Sequence, residues 1–119
     1  MTQPRDSLVL LRDMLGALAE IESFAAIGEA AFLADLRTRR AVERSFEILG
    51  EAANLLTPEF RDRFPEVPWR VVIDHRNRLI HGYASVDPVR VWQTIVVDLP
   101  PLRVRLEAIV ICLKGETPT

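Results

Sequence analysis

A chain of 119 residues in which 49% are hydrophobic and 27% charged has the balance of a single soluble globular domain. Its net charge of -2 argues against a large basic face for nucleic acid. No apolar run approaches the roughly 20 residues that span a bilayer, and residues 1–7 lack the layout of a signal peptide. We therefore predict a cytoplasmic protein with no membrane segment, one domain over residues 1–119, and a frayed tail over 115–119.

Apolar residues recur at three- and four-residue spacing in the first half of the chain, which predicts helices. The first helix is expected to start from a cap at Asp6 or Ser7 and to break at Gly28. A second, long helix is expected over residues 29–56, with a possible bend at residues 37–38. Gly50 in this helix is small enough to allow another backbone to approach closely.

Capping residues and prolines divide the second half. The segment Thr57-Pro58-Glu59 starts a short helix. The next helix is expected from Pro68 or Trp69 to Ile80 or His81, with Gly82 as a left-handed terminator.

A last long helix follows the start signal Asp87-Pro88, and Pro100-Pro101 should kink it near residues 96–99. Cys112 lies in an apolar run and is predicted to be a small core residue. Because no segment alternates like a strand, the predicted fold is an all-α, up-and-down bundle of four main helices plus one short helix.

One polar segment stands out between apolar stretches, Arg76-Asn77-Arg78-Leu79-Ile80-His81-Gly82-Tyr83. It sets an arginine, an amide, an imidazole and a phenol within about two helical turns. Asn77 and His81 are four residues apart, so the amide can orient the imidazole. Arginine binds phosphate with a planar fork, and Lys114 is the only cation of this chain that is not arginine. The cluster therefore suits phosphate chemistry.

A structural interpretation competes with this one. Arg76 could pair with Glu51 or Glu47, and His81 could cap the end of its helix. Tyr83 could be an ordinary half-buried tyrosine. The arginines at positions 37–44 could form a solvated helix face. The spacings of the acids and histidines at positions 74, 75, 81 and 87 match no familiar ligand pattern, so no metal site is predicted.

The motif Arg76-Asn77-x-x-x-His81-x-Tyr83 resembles the R-x4-H-x-Y motif of HepT-like toxins, the DUF86 group of the HEPN superfamily. Segments 44–54, 58–61, 65–70 and 91–100 also resemble that family. Asp74-His75 departs from it, since small or apolar residues are expected before the arginine.

The resemblance implies an all-α, HEPN-like ribonuclease toxin that cleaves RNA without a metal or cofactor. Arg76 and His81 would be catalytic, with Asn77 and Arg78 in support. It also implies a homodimer whose two motifs face a shared cleft. The partner would be a minimal nucleotidyltransferase antitoxin that silences the toxin by transferring AMP from ATP to Tyr83.

The residues fit this chemistry, because two copies of His81 in a dimer could supply a base and an acid. The alternative is a non-catalytic helical module that docks a nucleotidyltransferase or binds nucleotides. Such a module would use the same bundle, the same Arg76 and the same dimer. An RNase assay would separate the two functions.

Overall fold

Helices make up nearly all of the described part of the chain. The computed structural model describes residues 4–82 and 86–116, with the backbone alone for residues 4, 5, 78–82 and 116. The elements in order are α1 (Pro4–Ala25), α2 (Glu29–Ala34), α3 (Leu36–Leu55), α4 (Pro58–Arg63), α5 (Trp69–Gly82), α6 (Pro88–Gln93), a π-helical turn (Thr94–Asp98) and α7 (Leu99–Glu116). The described residues contain no strand, and the predicted all-α class is confirmed.

The long helices form a bundle in which α3 is central to the site. It packs against α1 on one side and against α5 on another, while α7 packs on α1. The short helix α2 contacts α1, α3 and α6. The largest fully buried side chains are Phe32, Leu11, Met14, Leu18, Ile21, Leu49, Leu56, Leu106, Ile109 and Leu113. Each stabilises the fold by roughly 1.5–3 kcal/mol of transfer free energy, before entropy is counted.

The first helix begins at Pro4, so the predicted cap at Asp6 or Ser7 was wrong. Proline is tolerated in a first helical turn, because the N–H that it lacks has no helical partner there. Ser7 lies one turn inside the helix and is only 1% exposed. The break at Gly28 is confirmed, and its φ of 94° is a conformation that favours glycine.

The predicted single helix over residues 29–56 was also wrong, because the chain leaves the helical conformation at Asp35 (φ -110°, ψ 103°). The Asp35 carboxylate caps α3: it accepts from the Arg37 N–H at 3.1 Å and from the Thr38 hydroxyl at 2.7 Å. Arg39 donates to the Leu33 carbonyl at the end of α2. The expected bend is therefore a complete break, two residues earlier than predicted.

The last helix is interrupted where the two prolines predict it, and the interruption is the π-helical turn Thr94–Asp98. Pro100 and Pro101 lack N–H groups, so the carbonyls of residues 96 and 97 lose their helical partners. Thr94, the first residue of this turn, donates its hydroxyl proton to the carbonyl of Arg90 in α6 at 3.1 Å. As a result α6, the turn and α7 form one continuous helical segment, the α6–α7 rod.

One expectation for the end of the chain was wrong. Cys112 is exposed, because five consecutive apolar residues in a helix point all round its axis and only some can face the core. Helix α7 is described as far as Glu116, and residues 117–119 lie outside the described residues, so the frayed tail over 115–119 stays a prediction. Among the described residues, no helix has both the length and the apolar character that crossing a membrane requires.

Candidate active site

The polar segment is carried by α5, which lies unusually close to α3 at Gly50. A Cβ atom added to Gly50 would lie 2.2 Å from the Arg76 Cβ and 3.1 Å from the Val72 carbonyl oxygen. The close approach expected at Gly50 is therefore confirmed, and its neighbour is the arginine of the motif. At the other end of α5, Trp69 donates its indole N–H to the Phe64 carbonyl at 3.0 Å. These two contacts fix where α5 begins and how near it lies to α3.

The Arg76 guanidinium is held by two acceptors. Its Nη2 donates to the Glu51 carboxylate at 2.6 Å, and its Nη1 donates to the Asn77 side-chain oxygen at 2.8 Å. Its Nε is buried and has no hydrogen-bond partner among the described atoms. The side chain is 24% exposed, so the group is oriented by the protein but still reaches the surface.

The carboxylate that holds Arg76 is one of the two acids considered from the sequence. Glu51 makes the contact, whereas Glu47 bonds instead to Arg44 at 3.2 Å. The sequence could not choose between these acids, because the choice depends on how α5 is rotated against α3.

A cleft of about 380 Å³ opens beside Arg76 between α1 and α3. It is lined by Leu10, Asp13, Arg44, Glu47, Ile48, Glu51, Ala52, Leu55 and Arg76. Three carboxylates and two guanidinium groups therefore face it, and this balance does not attract a polyanion over a wide area. A phosphate in this cleft would be bound locally, by the N–H groups of Arg76 and Arg44 that remain available.

The structure describes the other predicted site residues only in part. Arg78 and His81 belong to α5, where the structure describes their backbone alone. Asn77 contacts Arg76, and the hydrogen bond expected between Asn77 and His81 involves a side chain outside the described set. Tyr83 lies outside the described residues. Within the described side chains, the structure thus brings together Arg76, Asn77 and Glu51.

Several arginines outside the motif have structural partners. Arg40 pairs with Glu43 at 2.9 Å, and Arg44 pairs with Glu47, so a solvated helix face is confirmed there. Arg61 donates to the Ala53 carbonyl at 3.2 Å and to the Leu56 carbonyl at 3.0 Å. Arg61 thereby caps the end of α3, a role that the sequence analysis missed.

His75, half of the departure from the family pattern, lies on a different face of α5 from Arg76. Its ring packs on Phe46 of α3, with centroids 4.6 Å apart and planes inclined at 34°. Asp74 beside it is exposed. Among the described side chains, no three or more His, Cys, Asp or Glu residues form a group that could hold a metal ion.

Comparison with known proteins identifies the family. The model of the family Ribonuclease HepT-like matches residues 14–109. The chain belongs to the HepT-like ribonuclease family. The match agrees with the resemblance that the motif around Arg76 shows. The matched residues include α5, which carries Arg76, and α3, against which α5 packs.

Two relatives are similar over most of their length. "Probable ribonuclease HepT" of Thermococcus cleftensis is 39% identical over 98 residues, which are 82% of this chain and 89% of that protein. "Putative RNase MJ1380" of Methanocaldococcus jannaschii is 33% identical over 106 residues, which are 88% of this chain and 97% of that protein. No solved structure matches the chain.

Proposed function

We propose that this HepT-like protein is a metal-independent endoribonuclease and the toxin of a toxin–antitoxin pair. The observation that carries the proposal is the orientation of Arg76 by Glu51 and Asn77, on the helix that also contains His81. An oriented guanidinium can stabilise the charge that develops on phosphorus, without reorganising during the reaction. The names of the relatives, which refer to ribonucleases, support RNA as the substrate.

The proposed reaction uses the 2′-hydroxyl of RNA as the nucleophile. One neutral His81 accepts the proton of this hydroxyl while its oxygen forms a bond to the adjacent phosphorus. The bond from phosphorus to the 5′-oxygen breaks, and a protonated imidazole gives that oxygen a proton. The products are a 2′,3′-cyclic phosphate and a free 5′-hydroxyl.

Two imidazoles are needed for this sequence of steps, and each chain supplies one His81. A homodimer with both motifs at one cleft would provide the base and the acid together. Arg76 of either chain would contact the phosphate, with Asn77 holding its guanidinium and Arg78 adding positive charge. General acid–base catalysis of this kind contributes about 10²–10⁴-fold to the rate.

The Glu51 contact also favours a second function. An arginine whose guanidinium is bound by a carboxylate at 2.6 Å serves equally well to lock α5 onto α3. The chain would then be a non-catalytic helical partner, or nucleotide-binding module, of a nucleotidyltransferase.

An RNase assay on His81→Ala, with His75→Ala as its matched control, tests the proposal. Both variants remove a histidine from α5, but only His81 belongs to the proposed site. We expect at least a 100-fold loss of cleavage for His81→Ala and little change for His75→Ala, in the presence of a metal chelator. Circular dichroism would show whether each variant is folded.

Undiminished cleavage by a folded His81→Ala protein would overturn the catalytic assignment. Arg76→Lys adds a second test, because lysine keeps the charge but loses the planar fork. We expect a substantial loss of activity in that variant. If the wild-type protein itself cleaves no RNA but still binds its nucleotidyltransferase, the non-catalytic function is the correct one.

A further inference from the structure

The outer face of α7 carries an apolar stripe that the bundle leaves exposed. Val104 is 65% exposed and Ile111 is 71% exposed, and Ala108 and Gly115 on the same face are also exposed. The buried face of α7 is equally apolar, since Leu102, Leu106, Ile109 and Leu113 all enter the core. The helix therefore has a second apolar face that the described residues do not cover.

The spacing of this stripe is that of a seam between two helices. Residues 104, 108, 111 and 115 are separated by four, three and four positions, the repeat that keeps one face turned towards a partner helix. Large and small residues alternate along it, from valine to alanine to isoleucine to glycine. A Cβ atom added at Gly115 would meet nothing within 4 Å, so there is open space at that end of the stripe.

Charge complementarity indicates that a second copy of α7 covers the exposed stripe. If two copies of α7 pack antiparallel, with Ala108 facing Ile111 of the other copy, Val104 faces Gly115 and each large residue meets a small one. The flanking residues Glu107 and Lys114 then lie opposite each other twice, giving two ion pairs across the two-fold axis. Shifting the pairing so that Val104 meets Ala108 would instead oppose Glu107 to Glu107.

We propose that two copies of this chain associate through the outer faces of α7, in this antiparallel register. The surface is Val104, Ala108, Ile111 and Gly115, flanked by Glu107 and Lys114. Glu107 is 53% exposed and lies 3.9 Å from Arg103 of its own chain, so it can also bind a lysine from outside. A seam of about twelve residues covers less than the roughly 800 Å² per partner of a standard stable interface, so the association depends on concentration.

This contact is separate from the homodimer that would share His81. Helix α5 lies beside the start of the α6–α7 rod, because His75 of α5 lines one cavity together with Arg90 and Gln93 of α6. In the antiparallel pair, the two starts of this rod point in opposite directions and lie roughly 60 Å apart at 1.5 Å per residue. The α7 contact therefore cannot build a shared cleft, and it stands or falls independently of RNA cleavage.

Analytical ultracentrifugation over a concentration series tests the proposal. At the highest concentration, we expect the wild-type mass to be at least twice that of Ile111→Glu, because the substitution would bury a charge at the centre of the apolar seam. The matched control is Val9→Glu, which places the same charge at a 53% exposed valine on α1 and should leave the wild-type mass unchanged. Equal masses for wild type and Ile111→Glu, or a halved mass for Val9→Glu, would overturn the assigned surface.

A charge exchange tests the register. Glu107→Lys alone turns both ion pairs into repulsions and should weaken the association roughly tenfold at low salt. Adding Lys114→Glu restores opposite charges and should recover the wild-type association. If the double variant associates no better than Glu107→Lys, the antiparallel register is wrong. Because RNA cleavage is a separate readout, failure of this proposal and failure of the proposed function are distinguishable.

Discussion

Gly50 allows Arg76 to lie directly against α3, because any side chain at position 50 would occupy the space of the Arg76 Cβ. The contact would be with the root of a side chain and with the Val72 carbonyl, neither of which moves easily. Alanine is the better helix former by up to about 1 kcal/mol, so its helix propensity and the clash act in opposite directions. At 2.2 Å we expect the clash to dominate.

Gly50→Ala should therefore destabilise the protein by about 1–3 kcal/mol and reduce RNA cleavage by displacing Arg76. Thermal unfolding and the RNase assay would measure the two effects. Gly16→Ala is the control, since it lies in helix α1 with nothing within 4 Å of the added Cβ, and it should be neutral or stabilising. Equal stability of the two variants would mean that α5 moves freely on α3.

At the scale of single residues, the sequence predicted which residues matter for the site but not which of them are in contact. The candidate role of Arg76 and the small size of Gly50 were both visible in the residues themselves. Their contact was not, because they are 26 positions apart and belong to different helices. Arg61 was missed for a similar reason: its role as a cap depends on how the chain folds back after α3.

At the scale of elements, the break between α2 and α3 depends on the Asp35 cap. The hydrogen bond from the Thr38 hydroxyl, and then those from the backbone N–H groups of Arg37 and Thr38, hold the pKa of Asp35 below its ordinary value. A carboxyl whose pKa is lower in the folded state contributes stability above its unfolded pKa, near 3.8. That contribution disappears as the pH falls through the lower folded value.

Asp35→Asn should therefore reduce the dependence of stability on pH at acidic pH. Asparagine can still cap α3 through its side-chain oxygen, but it does not titrate. Below about pH 4, we expect the wild type to lose its stability advantage over Asp35→Asn, measured by thermal unfolding across a pH series. Asp62→Asn serves as the control. An identical pH profile for wild type and Asp35→Asn would show that the cap contributes no proton linkage.

The helices themselves were predictable, but their limits were less so. Apolar periodicity gave α1, α5 and the α6–α7 rod, and the proline pair located the π-helical turn. The break at Asp35 was missed because the apolar spacing continues across it, from Phe32 into α3. Its signal was present in the sequence, as an aspartate followed three positions later by a threonine. The exposure of Cys112 could not be predicted either, because a fully apolar run does not indicate which of its residues face outward.

At the scale of the whole molecule, the fold class follows from the sequence but the assembly does not. A bundle is what amphipathic helices with short connections form, so composition and periodicity suffice for it. A shared cleft requires surfaces of two chains to fit, and no local pattern encodes that fit. The exposed stripe on α7 became visible only once the buried face of the same helix was known.

We propose that the toxin is controlled through Tyr83, the only tyrosine of the chain. It lies two positions after His81 in the sequence, so a group attached to its hydroxyl would be close to the acid–base residue. An AMP phosphodiester adds about one negative charge, and a like charge beside the RNA path repels the substrate. We therefore expect a nucleotidyltransferase partner, given ATP, to add AMP to this chain and to silence it.

Tyr83→Phe should keep most of the RNase activity yet escape this silencing, because the acid–base scheme does not require a phenol. Intact-mass spectrometry after incubation with the partner and ATP would detect the adduct on the wild type and its absence on Tyr83→Phe. An AMP adduct that survives Tyr83→Phe would place the modification on another residue. If Tyr83→Phe is folded but inactive before any AMP transfer, the phenol takes part in RNA binding or catalysis, and the division of roles between His81 and Tyr83 is wrong.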